Sequence, residues 1–161
     1  MSLETNYLGL KLRNPIVASA GPLQQTLDGV KSIADAGVGA IVMFSLMEEQ
    51  IRAEQARQIA VEEDHENGFA EALSYFPNVP IHAPGADAAS SAYLMLLENA
   101  AKTVDVPVIG SLNGATMGGW ISFARQMQDA GASALELNVY YVPGDLRIPS
   151  EEVENLHLEV L

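Results

Sequence analysis

Four short runs of Val, Ile, Leu and Ala punctuate the chain, each closing on small or polar residues: Asn14 to Gly21, Gly39 to Ser45, Val106 to Gly114 and Ala134 to Tyr140. Runs this short and this apolar predict strands buried on both faces, as in a parallel sheet. Helical spacing precedes the last three. Leu27, Val30, Ile33 and Ala34 recur on one helical face, and Asp35-Ala36-Gly37 then offers a glycine suited to a left-handed C-cap. The same construction returns as Trp120, Phe123, Ala124 and Met127 lead to Asp129-Ala130-Gly131, a weak internal repeat, and Tyr93, Leu96, Leu97 and Ala100 make the helix before the third strand. Between the second and third strands the spacing lengthens. Leu46 to about Asp64 favours helix, with Ser45-Leu46-Met47-Glu48 reading as a capping box, and Asn67-Gly68 and Tyr75 to Pro80 read as turns. An inserted helix and loop at about 46–86 is therefore expected within one domain spanning 1–161, with a last helix opening at Pro149-Ser150-Glu151-Glu152.

Strands alternating with helices predict right-handed βαβ crossovers and an α/β fold on a parallel sheet. The pattern alone suits an open doubly wound sheet and a closed barrel equally.

Composition narrows the functions rather than the fold. The 161 residues, 48% of them apolar, suffice for one core. A formal charge of −13 opposes phosphate backbones and anionic lipid heads, so neither nucleic acid nor a membrane surface is an expected partner. The start of the chain lacks a basic segment followed by an apolar one, and no apolar run reaches the roughly 18 residues of a spanning helix, which leads to the expectation of a soluble cytoplasmic protein. Cysteine is absent, which removes disulfides, thiolate metal sites and a cysteine nucleophile together. His65, His82 and His157 have no metal-ligand spacing, the runs Glu48-Glu49 and Glu62-Glu63-Asp64 read as solvated helix faces, and no metal is expected.

In parallel α/β structures functional groups gather at the carboxyl ends of strands. The first strand ends Ala18-Ser19-Ala20-Gly21-Pro22, which serves equally a tight turn or the close approach of a flat ligand. Ser45, ending the second, is open to ligand contact and to helix capping. Asn113 and Asn138 end the third and fourth. A carboxamide carries donors and an acceptor in one plane, suited to the edge of a planar heterocycle, while the plainer reading is that Asn113 shapes its Asn-Gly turn and Asn138 ties down a loop. Glu136 either pairs with a polar group of a neighbouring strand or points outward between helices. Tyr140 and Tyr141 follow on a loop, where tyrosine either stacks on a ligand or covers the core. Gly114 to Gly119 is glycine-rich but lacks the Gly-Lys-Ser/Thr ending of a phosphate loop and reads as the start of a helix.

Taken together, Asn14-Pro15-Ile16-Val17-Ala18-Ser19-Ala20-Gly21, Ser45-Leu46-Met47-Glu48-Glu49-Gln50-Ile51, Gly110-Ser111-Leu112-Asn113-Gly114 and Leu135-Glu136-Leu137-Asn138 resemble the dihydroorotate dehydrogenase family, in particular a bacterial branch of dihydroorotate dehydrogenase-like proteins. The resemblance implies a parallel (β/α)8 TIM barrel of which about the first four βα units are present. It implies an FMN-dependent oxidoreductase that converts dihydroorotate to orotate in pyrimidine synthesis. Ala20 and Gly21 would lie against the flavin ring, Ser45 near it, and Asn113 and Asn138 at the flavin and substrate edge. Two positions depart from the family pattern: Phe44 stands where lysine is common, and Tyr141 occupies the place of the cysteine base of the best-known soluble class. Tyr141 is the candidate catalytic residue by that position. In such barrels the flavin phosphate site lies after strands seven and eight, so this chain is expected to self-associate or to require the missing C-terminal half. Two other readings stand beside this one: a flavin oxidoreductase with a different small-molecule substrate, and a non-catalytic truncated barrel acting as a subunit or interaction module.

Overall fold

The computed structural model describes residues 2–47, 88–114, 119–139, 143–145 and 147–160. The chain begins with a hairpin, β1 (Thr5–Tyr7) against β2 (Leu10–Leu12), paired antiparallel. Its two-residue turn holds Leu8 at φ 52° and Gly9 at φ 77°. Two successive positive φ values give a turn whose twist matches that of paired strands, and glycine takes the second without strain.

A parallel sheet follows. β3 (Val17–Ala18) leads through a 3-10 turn (Pro22–Gln25) into α1 (Leu27–Asp35), then to β4 (Ala40–Val42) and β5 (Leu46–Met47). Next come α2 (Ala88–Thr103), β6 (Val108–Gly114), α3 (Gly119–Asp129), β7 (Ala134–Val139) and α4 (Ser150–Val160). β3 pairs with β4, both β4 and β5 pair with β6, and β6 pairs with β7, all in parallel. β4 and β5 are thus two pieces of one line, and among the described residues the sheet has four lines lying in the order in which the chain visits them. A doubly wound sheet reverses that order at its switch point; among the described residues this sheet does not.

The two faces differ. Val30 and Ala34 of α1, Tyr93, Leu97 and Ala100 of α2 and Met127 of α3 bury themselves in one cluster with Ile41, Met43, Leu46, Val108 and Leu112, so three helices lie along the same face. On the other face Leu12 of the hairpin packs with Ala40, Val42 and Ile109. Strand alternation explains the division, since neighbours in sequence point to opposite faces. The predicted helix ends are found: Gly37 adopts φ 92° and its N–H donates to Ala34 O at 2.9 Å, while Gly131 adopts φ 95°. Beside Gly131, N–H groups of Gly131 and Ala132 reach back to Gln128 O and Met127 O at 2.9 and 3.0 Å, the paired bonds of a glycine-capped helix end.

The line formed by β4 and β5 contains a bulge. Val42 pairs with Ile109 and Leu46 with Leu112, so this strand takes four steps where its neighbour takes three. The surplus residue resets the alternation. Val42 faces the hairpin side, Met43 and Phe44 both pack toward the helices, and Ser45 turns back to the side of Val42. The gap left in the ladder is filled from the helix layer: the Tyr93 hydroxyl accepts the Ser111 N–H at 3.0 Å and donates toward Ser111 O at 3.4 Å. Phe44 meets the Tyr93 ring edge-on, with centroids 4.9 Å apart.

Several sequence expectations change here. The first strand is shorter than Asn14 to Gly21, and the second is split. Leu46 and Met47 are strand rather than the first turn of a helix, so the capping box from Ser45 does not form at that point; Glu48 and most of the expected 46–86 insertion lie outside the described residues. The hairpin has no counterpart in the sequence reading.

Arg13 fastens the hairpin's exit to the rest. Its Nε donates to Val38 O at 2.8 Å, its Nη2 to Ala34 O at 3.0 Å at the end of α1, and its Nη1 lies 3.5 Å from Asp105 Oδ2. A cation at a helix carboxyl end satisfies carbonyls that have no partner within the helix. Arg13→Met is expected to lower stability by about 1–2 kcal/mol, seen as a lower urea midpoint at unchanged slope. An unchanged midpoint would mean that water serves those carbonyls as well.

Candidate functional site

Because β6 and β7 pair with Ile109 opposite Ala134, Ser111 opposite Glu136 and Asn113 opposite Asn138, these six side chains share one face. The ladder runs from apolar to polar toward the carboxyl ends. Ile109 and Ala134 belong to the cluster under the hairpin, and the next two rungs carry a hydroxyl, a carboxylate and two carboxamides. Asn113 and Asn138 therefore stand side by side, on the same face and at the same end of adjacent strands.

The polar groups are joined. Ser111, fully buried, donates through Oγ to Glu136 Oε1 at 2.8 Å, and its Oγ lies 2.9 Å from Ser45 Oγ. Asn138 Nδ2 donates to the same Glu136 Oε1 at 3.2 Å. A buried hydroxyl needs such partners, since leaving it unpaired costs about 1–3 kcal/mol. Among the described residues the half-buried Asn113 carboxamide makes no hydrogen bond. Of the two readings of Glu136, the pairing with a neighbouring strand is the one found.

A cavity of about 420 Å³ lies over this face, lined by Thr5, Tyr7 and Leu12 of the hairpin and by Val17, Ile109 and Glu136 of the sheet. Its volume falls in the usual range for small-molecule sites, and its wall is apolar with few polar groups. At the first strand's end, Ala20 is half-buried beside the apolar cluster, and Gly21 opens the 3-10 turn in extended conformation. Buried Gln24 ties that end down, its Nε2 donating to Ser19 O at 2.8 Å. A Cβ on Gly21 would sit 3.3 Å from Gln24 Oε1, a tight but not forbidding contact.

Of the residues selected from sequence, Ser45 and Asn138 belong to one hydrogen-bonded chain, Asn113 adjoins it, and Ala20 and Gly21 lie at the end of β3, two lines away from β6. Phe44 points into the helix layer. Tyr140 and Tyr141 lie outside the described residues. Sequence reasoning missed Ser111 and Gln24. Ser111 was within reach, because it precedes Asn113 by two and so shares its face; nothing local marks Gln24 as buried. Among the described residues no group of three or more His, Asp or Glu is placed to hold a metal ion, and no helix is long and apolar enough to cross a membrane.

Compared with known proteins, the chain matches no family model and no curated protein.

Proposed function

We propose that this chain is the flavin-ring portion of an FMN-dependent oxidoreductase resembling dihydroorotate dehydrogenase, its four parallel strands being the first βα units of a (β/α)8 barrel. The observation that carries the reading is the pairing of Asn113 with Asn138 on one face at the carboxyl ends of adjacent strands. Sequential strand order with three helices along one face favours the barrel over a doubly wound sheet.

The residues fit the ring of FMN by their chemistry. An isoalloxazine edge alternates N–H and carbonyl groups, and the two carboxamides offer both donors and acceptors; neither lines the cavity itself, to which Asn138 is joined through its bond to Glu136. Asn113 and Asn138 would hold the polar edge, with Ser45 near it and the small Ala20 and Gly21 admitting the ring to the backbone. FMN, when bound, supplies the acceptor for a hydride taken from a C–H bond of the substrate, dihydroorotate in this reading. The chain's own groups orient and desolvate; Tyr141 is the proposed base by position alone.

FMN titrated into the protein is expected to quench saturably, and Asn113→Ala and Asn138→Ala are each expected to weaken binding by about tenfold or more. Dihydroorotate should then bleach the bound flavin. Absence of saturable uptake would sink the proposal. A second reading, an interaction module without flavin, draws on the sheet's two outer lines, β3 and β7, each paired on one side only among the described residues. In the same experiment it would show as sedimentation of an assembly that takes up no FMN.

A further inference from the structure

The polar groups beneath the site form a chain whose direction is fixed by one residue. Glu136 Oε1 receives Ser111 Oγ at 2.8 Å and Asn138 Nδ2 at 3.2 Å. A carboxylate has no proton to give, so both neighbours must donate. For Asn138 this decides which end of the carboxamide faces inward: the NH2 turns to Glu136, and the carbonyl oxygen is left to the outside. For Ser111 it commits the single hydroxyl proton to Glu136. In the 2.9 Å contact between Ser111 and Ser45 the Ser111 oxygen is then the acceptor and Ser45 the donor. Ser45, having given its own proton, keeps only lone pairs.

We infer that Glu136 is a positioning residue that sets the direction of the whole chain, so that its two outer ends, Ser45 Oγ and Asn138 Oδ1, both meet a ligand as acceptors. The ligand edge selected is one that carries N–H groups, as a cyclic imide or lactam does. An N-alkylated edge places a methyl against a lone pair and loses the bond. The bulge in the second strand line contributes, since it turns Ser45 toward Ser111. Asn138 retains one N–H beside its carbonyl, which suits an N–H next to a C=O on the ligand. The assignment of ligand class rests on the flavin reading above; the role of Glu136 in orienting Asn138 does not.

Two measurements on the full chain separate these claims. In the ligand-free protein, the Asn138 side-chain NH2, assigned by its loss in Asn138→Asp, is expected to exchange about tenfold more slowly than that of exposed Asn6. Glu136→Gln, which keeps a carbonyl acceptor in place, should preserve this protection to within about threefold, and Glu136→Leu should abolish it. Protection no greater than that of Asn6 in the wild type, a comparison needing no variant to fold, overturns the positioning role; so does protection that survives Glu136→Leu. Lumiflavin and its N3-methyl derivative are then the probes of ligand class. The wild type is expected to bind lumiflavin at least about tenfold more tightly, with the preference lost in Glu136→Leu. Equal binding of the two overturns the acceptor assignment. Failure to bind either, with Asn138 protected, removes the flavin reading and leaves Glu136 as the residue that orients Asn138.

Discussion

Replacing Tyr93 by phenylalanine is expected to lower stability by about 2 kcal/mol at neutral pH, a fall in Tm of roughly 4–8 °C for a chain of this length. The ring is retained, so the edge-on contact with Phe44 and the packing in the helix layer survive. What is lost is the hydroxyl that accepts the N–H of Ser111, in a strand segment fully removed from water. Alkali provides a second arm. Burial, as the largest influence, together with the nearby charge of Glu136, pushes the Tyr93 phenol from 10.0 up to about 12, against the opposing effect of the Ser111 backbone bond. The folded state therefore favours the neutral phenol. That contribution is whole below pH 10 and is lost as pH climbs through about 12, amounting to roughly 2–3 kcal/mol. Tyr93→Phe has no such group to lose, so the stabilities of the two proteins should converge over this interval in urea titrations. Parallel curves at all pH values would show that the Tyr93 phenol is not held away from water, and an unchanged stability of Tyr93→Phe at neutral pH would show that its hydroxyl does not bridge the ladder.

Gly29→Ala should reverse an ordinary rule. Within a helix, alanine in place of glycine usually stabilises by up to about 1 kcal/mol. Here a Cβ would fall 1.9 Å from the carbonyl oxygen of Leu23 and 2.9 Å from its carbon, both backbone atoms of the preceding 3-10 turn. The first turn of α1 is also held by Thr26, whose Oγ1 accepts the Gly29 N–H at 3.2 Å. The turn must move away or the helix must start later, and either outcome pulls on Gln24 and the end of β3. A loss of about 3 kcal/mol is expected, measured as a shift in the urea midpoint. A stabilised Gly29→Ala protein would mean that the 3-10 turn does not press on the helix.

Much of the scaffold was legible because its causes are local. Val30 and Ala34, Leu97 and Ala100, and Met127 lie inside because helical periodicity put them there, and Gly37 and Gly131 end their helices because positive φ favours glycine. The pairing of two carboxamides was half legible: each ends a strand, but only the register of β6 on β7, set by residues about 25 apart in sequence, makes Asn113 and Asn138 neighbours. Features governed by distant partners were not legible. At Leu46 a good local helix start yields to parallel pairing with Leu112, since tertiary pairing overrides a capping preference of about 1 kcal/mol. The hairpin escaped notice because its turn carries leucine where asparagine or aspartate is the usual sign, although Gly9 and the alternation of Leu10-Lys11-Leu12 were present. That Glu136 pairs with a neighbouring strand was one of two readings, and its partner, Ser111, stayed hidden for the same reason as the register.

The surplus residue between Val42 and Leu46 makes chain length, rather than side-chain identity, the variable that brings a hydroxyl to the side of the sheet where Ser111 lies. Exchange of Phe44 for another side chain alters the filling of the helix layer and leaves the phase of the strand untouched. Gain or loss of a single position in that stretch sends Ser45 to the opposite side of the sheet and a neighbour into its place, a parity change that no compensating substitution at Ser111 or Glu136 undoes.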